Sequence, residues 1–237
     1  MKALILAAGM GTRLRPITDD IPKSMVEVNG IPILFKQINN LVENGVQEIT
    51  VVAGYKSEII KNALGRSYPF VNVIINDEYD KTNNMYSAFL AKENFINDEF
   101  ILMNADVFFD GSVITELILN KYKNSIVVEK GTYNDENMKV SSVDGKIVEI
   151  SKKITQENAF GVSIDVYKFT SQGSNVFYEK IIDYIENKKD LNQWTEIALN
   201  DALKDIDFLT CPLVGNWMEI DNHDDLKRAE RIFNDRN

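Results

Sequence analysis

The first half of the chain alternates two kinds of apolar segment, and this alternation strongly constrains the fold. One kind is a short run rich in β-branched residues, found at Ala3–Ala7, Glu48–Ala53, Val71–Ile75 and Phe100–Met103. The other kind carries apolar residues three and four positions apart, which is the spacing of an amphipathic helix. Gly45 and Gly65 are predicted to end the first two of these helices. Strands and helices that alternate in this way form βαβ units, so the sequence predicts an α/β fold on a largely parallel sheet.

Strand signals follow one another more closely after about residue 125. Strands are predicted at Ser125–Glu129, Lys139–Val143, Lys146–Ile150 and Phe160–Phe169. Asp144-Gly145 predicts a tight hairpin turn between the second and third of them. Asn222 is predicted to cap the last helix, since asparagine is a preferred N-cap residue. No linker or repeat interrupts the chain, so we expect one domain over 1–237, with halves of about 1–110 and 111–237.

The charge and the rare residue types exclude several classes of protein. The formal net charge of −10 argues against a nucleic-acid partner, because such binding needs a basic surface. Cys211 is the only cysteine and His223 the only histidine, which excludes internal disulfides, Cys/His zinc sites and histidine-based triads. The first apolar run is too short for a signal peptide, and no run is long enough to span a membrane. We therefore expect a cytoplasmic protein, and the oligomeric state stays open.

The first predicted strand leads directly into the loop Gly9-Met10-Gly11-Thr12-Arg13. Two glycines in such a loop let backbone N–H groups approach an anion closely. The segment lacks the third small residue of a dinucleotide fingerprint and the Gly-Lys-Ser/Thr of a P-loop. A turn or a solvated charged loop is the alternative. Arg13, Arg15 and Lys23 lie within eleven residues of this acidic chain, which favours a polyphosphate site.

Carboxylates follow two of the predicted strands. Asp106 comes after the strand Phe100–Met103, and ligands of open α/β sheets bind at such strand ends. Glu219 and Asp221 alternate with apolar neighbours, so they share one face of a late strand. Because Mg²⁺ prefers a few carboxylates together with phosphate oxygens, Asp106 and Asp221 are candidate ligands, with Glu219 a weaker one. As alternatives, Asp106 precedes the helix near residue 111, for which Asp110 is the better cap, and Asp221 precedes the last helix.

The run from Leu6 to Thr18, with Pro22-Lys23-Ser24-Met25 after it, resembles the signature of the nucleoside-diphosphate-sugar pyrophosphorylase superfamily. The resemblance covers essentially the whole chain. It implies a Rossmann-like three-layer α/β/α, GT-A-like nucleotidyltransferase fold with a mixed, mostly parallel sheet and a small β insertion. It also implies a nucleotide-binding first half and an acceptor-binding second half.

The resemblance implies roles for individual residues. Asp106 and Asp221 match the two metal aspartates, although the usual Gly-Asp is here Ala105-Asp106. Lys23 matches the lysine that contacts the α-phosphate, and Arg13, Lys23 and Lys153 are the implied catalytic residues. The implied nucleotide-binding residues are Leu6, Ala8, Gly9, Met10, Gly11, Thr12, Arg13, Lys23, Tyr79, Thr82, Asn83, Asn84, Ser87 and Ala105.

The segment Thr82-Asn83-Asn84-Met85-Tyr86-Ser87 resembles the cytidylyltransferase branch of this superfamily. Its side-chain amides can read a pyrimidine edge, and they can equally cap a helix. Over its full length the chain is similar to CTP:phosphoglutamine cytidylyltransferases of capsule phosphoramidate synthesis. Phosphocholine is the second choice of acceptor, and sugar 1-phosphates and an inactive regulatory subunit are further alternatives. The implied acceptor-side residues are Lys153, Glu196, Trp217 and Glu219.

Overall fold

The computed structural model describes residues 1–120, 123–131 and 133–234. The strands are β1 (Lys2–Ala7), β2 (Glu27–Val28), β3 (Ile31–Pro32), β4 (Glu48–Ala53), β5 (Asn72–Ile75), β6 (Phe100–Asn104), β7 (Val107–Phe109), β8 (Asn124–Glu129), β9 (Lys139–Val143), β10 (Lys146–Ser151), β11 (Gly161–Phe169), β12 (Phe208–Pro212) and β13 (Trp217–Glu219). The helices are α1 (Ile17–Asp20), α2 (Ile33–Glu43), α3 (Ser57–Ser67), α4 (Asn84–Leu90), α5 (Lys92–Phe95), α6 (Ser112–Leu119), α7 (Ser171–Ile182), α8 (Thr195–Ala202) and α9 (His223–Ile232).

Within the described part of the chain, nine strands form one sheet in the order β5-β4-β1-β6-β11-β8-β12-β10-β9. The strands β5, β4, β1 and β6 are parallel, whereas β11 runs antiparallel to both β6 and β8. Beyond β11, β12 pairs in parallel with β8, and the β9–β10 hairpin turns at Asp144-Gly145. The predicted mixed sheet with a small β insertion is confirmed. Its parallel strands are concentrated in the first half of the chain, because β11 returns through the sheet in the opposite direction.

The sheet separates two apolar cores, which makes the fold three-layered. Along β1, Ala3, Ile5 and Ala7 face one core while Leu4 and Leu6 face the other, as the two-residue period of a strand requires. The first core is completed by α2, α3 and α6, and the second by α4, α7 and α8. A central strand with both faces covered is apolar throughout, which explains the unbroken apolar run at the start of the chain.

The boundaries of some helices differ from the sequence predictions. The helix α3 continues through Gly65 to Ser67, so Gly65 does not end it. Asp110 does not cap α6, because its carboxylate accepts the backbone N–H of Asn216 at 2.8 Å. The cap of α9 at Asn222 is confirmed by bonds from the N–H groups of the next turn. Among the residues described, no helix is long and apolar enough to cross a membrane.

Candidate active site

A cleft of about 420 Å³ opens at the carboxyl edge of β1, β4 and β6. The register places the ends of these strands side by side, since Leu6 pairs with both Val52 and Asn104. The N–H group of Ala105 donates to the Leu6 carbonyl at 3.0 Å, which joins the first loop to the turn that carries Asp106. The predicted nucleotide-binding residues that line this cleft are Leu6, Ala8, Gly9, Gly11, Thr12, Arg13, Lys23, Tyr79, Thr82, Asn83, Asn84, Ser87 and Ala105.

Gly11, in the loop after β1, lies close to Lys23 and allows Lys23 to reach the cleft. Gly11 has a φ of 61°, a left-handed conformation that favours glycine. A Cβ atom at Gly11 would lie 2.7 Å from Lys23 Cβ, so a larger residue would push Lys23 away. The Thr18 hydroxyl donates to the Gly11 carbonyl at 2.9 Å and closes the loop. The conformation of the loop therefore leaves room for the Lys23 side chain next to Gly11.

Three carboxylates meet at the base of the cleft. Oxygen atoms of Asp106, Glu219 and Asp221 all lie within 4.8 Å of one another. The Lys23 ammonium group donates to Asp106 Oδ2 at 2.9 Å and to Asp221 Oδ1 at 2.7 Å. Arg13 Nη2 lies 2.9 Å from Asp221 Oδ2. The candidate phosphate cations and the candidate metal ligands thus form one cluster, although they come from the beginning, the middle and the end of the sequence.

Hydrogen bonds from the Gln37 side chain hold the turn between β6 and β7, which carries Asp106. The amide of Gln37, on α2, donates to the carbonyls of Asn104 and Val107, both at 2.8 Å. Asp106 therefore lies in a turn that is clamped on both sides. The strand β13 pairs antiparallel with β7, which brings Glu219 opposite Val107.

The electrostatics of the cluster follow from its burial and its charges. Burial lowers the pKa of Lys23, but the carboxylates of Asp106 and Asp221 raise it more, so the ammonium group stays charged. Burial and the neighbouring carboxylates raise the pKa of Glu219 to about 9. Burial also raises the pKa of Asp221, yet Lys23 and Arg13 reverse this shift and hold it below its ordinary value.

These residues fit a divalent cation. Asp106 Oδ1 is buried and has no hydrogen-bond partner among the described residues, so the chain itself leaves one carboxylate oxygen available. Among the residues that the structure describes, six carboxylate side chains line the cleft, against three cationic ones. An anionic ligand in such a cleft needs added positive charge, and oxygen-rich donor sets suit hard divalent cations.

Side-chain amides of Asn76, Asn83 and Asn84 form another wall of the same cleft. Asn83 caps α4, because its side chain accepts the backbone N–H of Asn84 at 2.8 Å, so the predicted cap is confirmed. Asn84 accepts the backbone N–H of Thr195 at 2.9 Å, which fixes the start of α8 against the cleft. Asn76 donates to the hydroxyls of Thr82 and Ser87, both at 3.1 Å. Many of the hydrogen-bonding groups of these amides are therefore already used in bonds that stabilise the cleft wall.

The far end of the cleft carries charges of both signs. Glu196 and Asp165 both line it, and the Tyr167 hydroxyl oxygen is 2.8 Å from a carboxylate oxygen of each. Lys152 lines the same cleft, and its ammonium nitrogen is 5.2 Å from the ring centroid of Trp194. This end can therefore contact both an ammonium and a carboxylate group of a ligand.

The sequence profile of the nucleotidyl transferase family matches residues 2–236. The chain belongs to this family. Its α/β fold and its class, an enzyme that transfers nucleotidyl groups, follow from this match together with the relatives and solved structures below.

Two curated relatives match nearly the full chain. The sequence is 32% identical to the CTP:phosphoglutamine cytidylyltransferase of Campylobacter jejuni, over 96% of this chain and 98% of that protein. It is 30% identical to the choline-phosphate cytidylyltransferase of Streptococcus pneumoniae, over the whole of both chains. Among solved structures, CTP:phosphocholine cytidylyltransferase from Streptococcus pneumoniae superposes with a TM-score of 0.81 at 27% identity, over 98% of each chain.

Three residues proposed for the site of this nucleotidyltransferase do not line its cleft. Met10 is 39% exposed on the outside of the first loop. Lys153 is exposed in the turn after β10, where its N–H group donates to the Ser151 hydroxyl, and Lys152 lines the cleft instead. Trp217 pairs with Phe109 and packs against the first apolar core.

Other residues of this nucleotidyltransferase line the cleft without having been predicted. Asp165 lies in β11 with a φ of 58°, at a register shift that turns it towards the cleft. Asn104 donates to Asp165 Oδ2 at 3.1 Å, and Ser24 has a buried hydroxyl at the cleft wall. The sequence signal for Asp165 is an acidic residue in the middle of the predicted apolar-rich strand Phe160–Phe169.

Proposed function

We propose that this enzyme transfers CMP from CTP to a small phosphorylated acceptor and releases pyrophosphate, with Mg²⁺ as its cofactor. The observation that carries the proposal is the cluster of Lys23 and Arg13 with Asp106 and Asp221, next to a glycine loop at the strand ends. The similarity to two cytidylyltransferases over nearly the whole chain supports CTP as the nucleotide.

The chain's own residues divide the task. Residues of the first half, about 1–110, bind the nucleotide, and residues of the second half, 111–237, add acceptor contacts within one domain. Asp106 and Asp221, with Glu219 beside them, would hold the Mg²⁺, which when bound neutralises charge on the triphosphate. Arg13 and Lys23 offer fixed positive charge to the phosphates that lie against the loop.

The reaction places few demands on proton transfer. An oxygen of the acceptor phosphate attacks the α-phosphorus, and the bond to the pyrophosphate leaving group breaks. Because the attacking oxygen is already anionic, no general base is needed, which agrees with the absence of a histidine from the cleft wall in the described residues. Catalysis then consists of positioning and of charge stabilisation, as in other phosphoryl-group transfers.

The mixed charges at the far end of the cleft favour phosphoglutamine as the acceptor. Its ammonium group suits Glu196 and Asp165, and its carboxylate suits Lys152. Phosphocholine is the second candidate, because the Trp194 ring is 43% exposed and aromatic faces bind quaternary ammonium groups. The first acceptor would place the enzyme in capsule phosphoramidate synthesis, in the cytoplasm.

An assay of pyrophosphate release tests both parts of the proposal. The purified enzyme is incubated with CTP, UTP, ATP or dTTP and with phosphoglutamine, phosphocholine or glucose 1-phosphate, with and without Mg²⁺. We expect release with CTP and phosphoglutamine only when Mg²⁺ is present. A preference for dTTP or UTP with glucose 1-phosphate would contradict the proposal. A preference for CTP with phosphocholine would support the proposed nucleotide and would replace phosphoglutamine with phosphocholine as the acceptor.

A further inference from the structure

The Tyr167 hydroxyl group lies between two acids at the acceptor end of the cleft. Its oxygen is 2.8 Å from Asp165 Oδ1 and 2.8 Å from Glu196 Oε1. A phenol has one proton, so it can donate to only one of these carboxylates. The second contact is a hydrogen bond only when the other carboxyl group carries a proton and donates it to the phenol oxygen. For both contacts to be hydrogen bonds, the three groups must therefore hold one proton in addition to the phenol proton.

The surrounding structure fixes this arrangement. The Ser163 hydroxyl lies 3.3 Å from the Tyr167 oxygen and accepts the backbone N–H of Asp165 at 3.1 Å. Asn104 donates to the second Asp165 oxygen at 3.1 Å. Asp165 itself adopts a left-handed φ of 58° at a bulge in β11, a conformation that costs free energy for residues other than glycine and that is found preferentially at functional sites. The bulge aims the acid at Tyr167 and the cleft.

The charges around the pair favour a retained proton. Asp106, in the turn between β6 and β7, and Glu219, on β13, carry the nearby acidic groups. Lys23 and Asp221 interact with Glu219, and Glu136 and Lys152 line the same cleft. Burial and the nearby acids raise the pKa of Asp165 to about 7, and burial raises the pKa of Glu196. The Tyr167 hydroxyl lowers the pKa of whichever carboxyl group accepts its single proton, because that hydrogen bond stabilises the ionised form.

We infer that Tyr167 is a positioning residue that holds Asp165 and Glu196 as a pair sharing one proton, which presents a single negative charge to the ammonium group of the acceptor. This inference rests on the proposed function for its ligand, while the shared proton is a property of the free enzyme. A pair with one charge matches one ammonium group without leaving a second buried charge unpaired. The interacting acids titrate as a pair, so the proton belongs to neither residue alone.

The variant Tyr167→Phe removes the hydroxyl and keeps the ring in the second apolar core. Tyr178→Phe is the matched control, because Tyr178 is equally buried in that core and its hydroxyl has no partner among the described residues. Loss of the donor raises the pKa of the pair, so more of it is fully protonated at neutral pH. We expect kcat/KM for phosphoglutamine to fall about tenfold or more at pH 7 and to recover towards pH 9. The KM for CTP stays unchanged, and Tyr178→Phe resembles the wild type throughout.

A second measurement needs no substrate. The ¹³C shifts of the Asp165 and Glu196 carboxyl carbons are followed against pH in the free enzyme. We expect two coupled steps, the second near or above pH 7 and displaced to higher pH in Tyr167→Phe, and we expect Glu196→Gln to abolish one of them. Two independent steps below pH 5 in the wild type would overturn the shared proton. If phosphoglutamine and phosphocholine are both inert, the proposed acceptor fails, and this titration still decides the inference.

Discussion

The ammonium group of Lys23 lies 2.7 Å from Asp221 Oδ1, although 198 residues separate the two in sequence. The same group lies 2.9 Å from Asp106 Oδ2, so one lysine joins the two candidate metal aspartates. Its side chain is 14% exposed, which weakens the competition from water for these ion pairs. Lys23 is thus a structural link between the two carboxylates and, in the proposed reaction, a phosphate-binding cation.

Replacing Lys23 with methionine separates these two roles. Asp106 and Asp221 would then lose the cation that joins them, while Arg13 still pairs with Asp221, and the free energy of unfolding should fall by up to about 3 kcal/mol. The kcat should fall about 10²–10³-fold, because fixed charge next to the phosphates is lost. Thermal unfolding with and without Mg²⁺ measures the first effect, and we expect Mg²⁺ to restore more stability to the variant than to the wild type. Equal Mg²⁺ effects on both proteins would contradict the assignment of these carboxylates.

Asp106→Asn tests the metal site from the other side. Asparagine keeps the shape of the side chain and loses the charge, so turnover should fall by about three orders of magnitude while the melting temperature changes little. Asp207→Asn is the control, since Asp207 is exposed, pairs with Lys146 and lies outside the cleft. Isothermal titration with Mn²⁺ and CTP should show weaker binding for the first variant only. Near-normal turnover of Asp106→Asn would refute its role.

Gly9 and Gly11 should respond differently to the same substitution. At Gly9 an added Cβ has no atom within 4 Å, so Gly9→Ala should fold normally and raise the KM for CTP by narrowing the approach to the backbone. At Gly11 the left-handed φ and the 2.7 Å approach to Lys23 Cβ make alanine strained, at a cost of about 1–3 kcal/mol. Melting temperatures and CTP saturation curves separate the two effects. A stability loss at Gly9 as large as that at Gly11 would contradict this picture.

Local sequence patterns predict much of the fold, and they predict the part of the cleft that contains the first loop and the candidate metal ligands. The loop after β1, the turn at Asp106 and the strand before Asp221 each follow from a short segment that carries its own signal. Their meeting point also follows, since parallel strands bring their carboxyl ends to one edge. The helix cap at Asn222 is equally local, because an asparagine N-cap bonds to the next turn of its own helix.

The end of the cleft that is proposed to bind the acceptor is harder to predict, because it depends on how turns and bulges orient individual side chains. Lys152 and Lys153 are neighbours in sequence, yet only Lys152 lines the cleft, because the turn after β10 directs the two side chains differently and no local pattern distinguishes them. Asp165 reaches the cleft through a bulge in β11, and the surrounding sequence carries no pattern that predicts this bulge. Trp217 is half-buried opposite Phe109 and packs against the first apolar core, and it does not line the cleft.

Cys211 should be chemically inert in the folded enzyme. It is 1% exposed, and burial raises the pKa of its thiol to about 11. Because the thiolate is the reactive form, little of it exists at pH 8. Alkylation by iodoacetamide, followed by mass spectrometry of this single cysteine, should be more than about 100-fold slower than in the urea-unfolded chain. Similar rates in the two states would show that β12 opens readily.

Lys152 and Lys153 provide a matched pair for the acceptor site. Lys152 lies over Trp194 and 3.8 Å from Glu136, inside the cleft, whereas Lys153 is exposed beyond it. Lys152→Ala removes the cation that faces an acceptor carboxylate, so the KM for phosphoglutamine should rise about tenfold, with the KM for CTP unchanged. The same variant should use phosphocholine as well as the wild type or better, because the Trp194 face loses a competing ammonium group. Lys153→Ala should behave as the wild type with both acceptors. An effect of Lys153→Ala as large as that of Lys152→Ala would return the acceptor role to Lys153.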